Sequence, residues 1–158
     1  MANQINTKDI ALGTFTITLA SLANAAARQS DLIDNSSTDY PAAIVYVEIA
    51  SGAAAPTAGN IYEVYLLRGN AAPASVTHTT DAAGTGDAAI TIENAPMLGA
   101  IVTTATTTKK FYGEFDTAPL GPLGPSWGIA VKNNSGATIN PTAGSTLCTY
   151  VRYVPEIQ

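Results

Sequence analysis

At 158 residues the chain is long enough for one domain that buries roughly 70% of its unfolded surface. Its 7 basic and 12 acidic residues, net −5, oppose binding to a phosphate backbone, which needs clustered Lys and Arg, and the single Cys and single His exclude an intramolecular disulfide, a multi-thiolate metal site and any motif built on two imidazoles. With 28 Ala and 21 Thr, the chain is poor in the side chains that carry catalysis.

Residues 1–12 read as a polar N-terminal arm, ahead of a single domain over 13–158. The run from Ala11 to Ala20, followed by Ala25-Ala26-Ala27, has the outline of a signal-peptide core and cleavage site. Its lead-in carries Lys8 offset by Asp9 in place of a basic region, so the expectation is a soluble protein that keeps this segment and folds in the cytoplasm where it is made. No apolar run reaches the ~18 residues of a membrane-spanning helix.

Alternation with period 2 predicts a strand over Thr14–Leu19, with Phe15, Ile17 and Leu19 inward, and a second over Arg28–Asn35. Pro41 opens Ala42–Ala50, a nearly continuous β-branched and aromatic series expected of a strand covered on both faces. Asn60–Arg68 alternates again and is expected to pair with it. Gly69–Gly86 is weakly patterned and reads as a long surface loop with at most a short strand over Ser75–Thr79. Strands follow over Ala88–Glu93, Met97–Thr104 and Thr107–Phe115. The doublet Pro119-Leu120-Gly121-Pro122-Leu123-Gly124-Pro125 forbids regular pairing and reads as a rigid connector. Trp127–Asn133 is a strand, Asn133-Asn134-Ser135-Gly136 a hairpin turn into Ala137–Asn140, and Thr146–Val154 the last strand.

About eight to ten strands with no convincing helix predict an all-β fold, a two-sheet antiparallel β-sandwich of jelly-roll-like form. Its expected core is Phe15, Leu19, Ile44, Tyr46, Val64, Leu66, Ile129, Val131 and Val151, with Cys148 as a small buried hydrophobe.

Chemistry-bearing candidates are few. His78 lies among hydroxyl residues and reads as an exposed loop histidine. Asp81-Ala82-Ala83-Gly84-Thr85-Gly86-Asp87 places carboxylates about a Gly turn but puts Ala where a calcium loop needs oxygen ligands, and Gly84-Thr85-Gly86 is too short to cradle a phosphate. Glu48, Glu63, Glu93 and Glu114 lie on predicted strands with nothing to pair two of them for glycoside hydrolysis. Trp127 with Tyr62, Tyr65, Tyr112, Tyr150 and Tyr153 could stack on sugars, although most should be core. No catalytic residue, metal ligand or cofactor is expected.

Four segments resemble a family of small virion structural proteins of tailed bacteriophages, over about residues 14–140. They are Leu19-Ala20-Ser21-Leu22-Ala23; Ala27-Arg28-Gln29-Ser30 with Asp34-Asn35; Gly86-Asp87-Ala88-Ala89-Ile90-Thr91; and Trp127-Gly128-Ile129-Ala130-Val131-Lys132-Asn133-Asn134-Ser135-Gly136. The chain departs from that pattern in the Pro-Leu-Gly doublet and in its last strand. The resemblance implies a head-decoration protein without catalytic residues, made in the host bacterium and located on the capsid surface. Its partners would be the major capsid protein and copies of itself, as a trimer, with no nucleic acid and no membrane. Expected contact residues are Asn3, Gln4, Ile5 and Asn6 of the arm, which a neighbouring subunit would hold, and Pro119, Leu120, Pro122 and Leu123 of the stiff loop. The alternative is a carbohydrate-binding or host-adhesion module on the same sandwich, with a surface glycan as ligand; a glycan-cleaving enzyme is a third.

Overall fold

The computed structural model describes residues 5–157, with the side chains of 12–154. Among the described residues there are ten strands: β1 (Ile5–Thr14), β2 (Ala27–Gln29), β3 (Ile33–Asp34), β4 (Ala42–Ala50), β5 (Ile61–Gly69), β6 (Ala88–Ile90), β7 (Met97–Val102), β8 (Lys110–Asp116), β9 (Ser126–Asn134) and β10 (Leu147–Ile157). They form two antiparallel sheets, β1-β10-β4-β8 and β6-β2-β9-β5-β7, with β3 pairing further along β9. Leaving out the short β3 and β6, the strands in chain order are arranged first-eighth-third-sixth and second-seventh-fourth-fifth. That is the connectivity of a jelly roll, as expected. Among the described residues no helix is long and apolar enough to cross a membrane.

The inner faces follow from alternation. Val45, Val47 and Ile49 of β4 face Tyr62, Val64 and Leu66 of β5 and Trp127, Ile129 and Val131 of β9 across the core. Trp127 sits at its centre: the rings of Phe15 and Tyr150 stand edge-on to it at 5.2 and 5.0 Å, the geometry that sets a positive ring edge against a negative face. Gly13 makes room for this cluster, because a Cβ there would fall 2.2 Å from Cζ of Tyr150, its cross-strand partner.

Several expectations are corrected. Thr14–Leu19 is not a strand; the strand precedes it, and from Phe15 the chain crosses between the sheets while still burying Phe15 and Leu19. The bonds of this segment are individual ones, Phe15 N–H to Cys148 O and Thr16 N–H to Asp31 Oδ1. Residues 5–14 are an edge strand, paired on one side, which explains their polar composition. β4 is covered on one face only, so Ile44 is half-buried and Tyr46 exposed, and Val151 of β10 shares their half-buried side. The six other expected core residues are buried. β4 and β5 do not pair but belong to opposite sheets. Residues 137–140 do not return along β9. Asn133, fully buried, donates to Leu22 O and Ala137 O and accepts from Ser135, which turns the chain across the sandwich to bridge Ile139 with Ser51.

The excursion over 70–95 is more than a surface loop. Around β6 and a single 3-10 turn at Pro73–Ser75 it folds back over the outer face of the larger sheet, making a second apolar cluster of Leu32, Leu67, Ala95 and Ala130 with Val76, Ile90 and Ile92 against it. Two polar anchors, Gln29 and Asp87, tie it to the sandwich, and a third group, Asp81, closes it on itself. Gln29, fully buried, donates to Gly84 O and Gly86 O and accepts from Ala83 N–H. Asp81 accepts from the N–H groups of Glu93, Asn94 and Ala95, and Asp87 accepts from Arg28 and Thr18. The smaller sheet has no such cover among the described residues.

Candidate docking surfaces

One end of the sandwich brings together the arm and the proline loop. β1 and β10 pair from Ile5↔Ile157 onward, but β4 joins β10 only at Tyr153↔Ala42. The pairs from Ile5↔Ile157 to Lys8↔Val154 therefore form a two-stranded ribbon with no third strand among the described residues. Such a ribbon is marginal in water unless something packs on it. At its base the Tyr153 hydroxyl donates to Asp116 Oδ1 at 2.7 Å, tying β10 to the end of β8 where the proline loop begins. Burial and the neighbouring carboxylate push this phenol up to about 12, so it remains a donor at any ordinary pH.

The loop itself is pinned. Thr117 Oγ1 accepts from Ala43 N–H, Arg68 donates to Leu120 O and Gly121 O, and Asn35 donates to Gly124 O. Gly121 and Gly124, at φ of 90° and 80°, supply the left-handed turns that let two prolines fit in so short a span. Leu123 is fully buried in the core and Leu120 packs against it, so the expectation that both leucines project outward is corrected for Leu123 and reduced for Leu120. They anchor the loop. Its exposed residues are Pro119 and Pro122. Pro122 separates two hollows, one of about 360 Å³ floored by Pro41, Ala42 and Tyr153, and one of about 210 Å³ lined by Asn35, Tyr40 and Pro125. Of the expected contact residues, Ile5 and Asn6 fall in the ribbon beside this end and Pro119 and Pro122 on it; Asn3 and Gln4 lie outside the described residues.

The second surface is the uncovered face of β1-β10-β4-β8. The register stacks its outward residues in rows: Leu12, Val151, Ile44 and Asp116; then Thr14, Thr149, Tyr46 and Glu114; then Leu147, Glu48 and Tyr112. Tyr112 is 70% exposed, Leu12 66%, Leu147 51% and Tyr46 38%, a concentration of accessible apolar surface on one face. Between β4 and β8, Tyr46 lies opposite Glu114 and Glu48 opposite Tyr112, so tyrosines and glutamates alternate around a groove of about 410 Å³. Lys110 pairs with Glu48, and hydrogen bonds from Lys110 and from the Tyr112 hydroxyl hold that carboxyl below its ordinary range. Sequence reasoning placed Tyr46 in the core, because a strand apolar on both faces was read as doubly covered, and did not single out Leu12 or Leu147.

The remaining candidates do not assemble into a site. Trp127, Tyr62 and Tyr150 are buried and unavailable for stacking on a sugar. Asp81 and Asp87 are turned to separate partners, Glu63 accepts from Tyr65 and lies 3.9 Å from Lys132, and His78 is exposed beside Thr77. Cys148 is buried and its thiol is pushed up to about 12. Among the described residues no three His, Cys, Asp or Glu side chains come close enough to hold a metal ion. Neither a protein-family model nor a curated protein matches the sequence.

Proposed function

We propose that this protein is a non-enzymatic virion structural component of a tailed bacteriophage, made in the host cytoplasm, that decorates and stabilises the head by docking on the shell of the major capsid protein. The observation that carries this reading is the convergence at one end of the sandwich of a ribbon with no third strand among the described residues and a proline loop fixed by buried Leu123, half-buried Leu120 and an arginine. A cement contact repeats many times over a shell, so it gains from segments that lose little conformational entropy on binding. The pinned loop meets that requirement, and the ribbon offers backbone N–H and C=O groups to a neighbouring strand. The jelly-roll connectivity and the resemblance support the same reading, and net −5 suits a position away from packaged nucleic acid. Copies of this chain, as a trimer, are the expected assembly.

The test is co-sedimentation with undecorated capsids, together with the mass in solution. Deleting residues 2–9, or replacing Pro122 with Asp, should each weaken capsid binding at least about tenfold, a loss of about 1.4 kcal/mol. A parent protein that never binds capsids, or variants that bind like the parent, would overturn the proposal.

A further inference from the structure

We infer that the uncovered face of β1-β10-β4-β8 is a saccharide-binding surface, with the groove between Tyr46, Glu48, Tyr112 and Glu114 as its principal subsite. This goes beyond the docking proposal and does not depend on it. The groove lies toward the far end of the sheet, and the row of Val151, Ile44 and Asp116 separates it from Tyr153 and the proline loop.

Chemistry selects the occupant. A free sugar ring has apolar C–H faces and a rim of hydroxyl donors, and the groove matches both. Tyr112 and Tyr46 offer accessible aromatic surface, while Glu48 and Glu114, diagonal to each other in the same square, are carboxylates that accept hydroxyl hydrogen bonds. Charge-assisted bonds of this kind are among the stronger ones. Lys110 pairs with Glu48 at the edge of the groove and offsets part of its charge. Leu147 and Thr149 of β10 close the other side of β4, and about 410 Å³ falls within the ~300–1,000 Å³ range of small-ligand clefts.

Other occupants fit less well. A second copy docking face to face would bring two faces that each carry Glu48, Glu114 and Asp116 together, with only Lys110 as a basic side chain on this face among the described residues. Phosphate polymers meet the same repulsion. A neutral saccharide neither buries a new charge nor needs one neutralised.

The experiment uses the full-length protein on an array of hexose, N-acetylhexosamine and heptose oligosaccharides, followed by titration of the best binder. Saturable binding is expected, with Tyr112→Ala and Tyr46→Ala each weakening it about tenfold and Glu114→Gln weakening it less. Tyr112→Trp should retain binding, and the thermal midpoint of each variant, read in parallel, should lie within about 4 °C of the parent, as a cost of about 1 kcal/mol or less requires. Pro122→Asp should leave saccharide binding intact, which separates this result from failure of capsid docking. The inference is overturned if no saccharide on the array binds, if binding survives loss of both tyrosines, or if Tyr112→Ala only converts an oligomer to a monomer.

Discussion

Trp127 is enclosed by Phe15 and Tyr150, whereas Tyr46, on the neighbouring sheet, looks into solvent. Trp127 projects into the core from β9, whereas Tyr46 projects from the uncovered face of β4. Truncating Trp127 to Ala should cost about 3–5 kcal/mol, because it removes a large side chain from a packed core and leaves a cavity. Tyr46→Ala should cost about 1 kcal/mol or less, the worth of an exposed cross-strand pair. Chemical denaturation of both variants checks the assignment, and similar losses would show the faces to be wrong. Parity was legible on β5 and β9, where Val64, Leu66, Ile129 and Val131 are buried as expected. It was not legible on β4 and β10. There Ile44, Tyr46 and Val151 are as apolar as Val45 and Val47, so hydrophobicity does not tell a core face from a contact face. Leu123 failed for the opposite reason: a Pro- and Gly-rich loop reads as exposed, yet a loop this stiff needs an internal anchor.

The covering segment over 70–95 is closed on itself by the Asp81 carboxylate and tied to the rest of the fold by Asp87, which makes its stability depend on pH. Burial works to raise the carboxyl of Asp81, but backbone hydrogen bonds from Glu93, Ala95 and Asn94 outweigh it and the net shift is downward. Asp87 behaves alike, with burial opposed by bonds from Arg28 and Thr18 and by the Arg28 charge. A carboxyl whose folded value is depressed stabilises the fold above the ordinary aspartate value, and that stability is lost as the pH falls through the depressed one. Stability should therefore be level near neutrality and decline on strong acidification, and Asp81→Asn with Asp87→Asn should flatten the decline while lowering the neutral plateau. Urea midpoints across an acid series read both effects; a parent and double variant with parallel profiles would remove these two carboxylates from the account. The first part of the segment, Gly69–Gly86, looked like an unpatterned loop because its contacts with the sheet are made by scattered apolar residues, Val76 and Ala82, whereas the alternation over Ala88–Glu93 marked the strand that holds Ile90. Period-based reading needs runs, and here the order comes from Gln29, Asp81 and Asp87, each bonded to backbone far away in sequence.

At the scale of the whole molecule, the two sheets treat their outer faces differently. The larger one is covered by the chain's own 70–95 segment, while the smaller one is bare and ends in the β1/β10 ribbon. The sandwich and its jelly-roll form were legible from strand spacing and the lack of helix. Pairing partners were not, because jelly-roll neighbours such as β1 and β10 lie at opposite ends of the chain and share no local signal. The ribbon supplies the final prediction. Beyond Tyr153, β10 has β1 on one side only among the described residues, so the opposite edge of Val154–Ile157 and the outer edge of β1 carry backbone groups that no described strand pairs. If the ribbon completes a neighbour's sheet on the shell, backbone amides in Ile5–Lys8 and Val154–Ile157, apart from Pro155, should gain hydrogen-exchange protection on capsid binding. Amides of β9, already paired on both sides by β2 and β5, should not change. Exchange mass spectrometry on free and capsid-bound protein makes the comparison within one molecule, with β9 as the internal reference. Protection that rises equally in β9 would indicate global stabilisation on binding, and protection confined to the Tyr46 and Tyr112 strands would move the capsid contact from the ribbon end to the open sheet face.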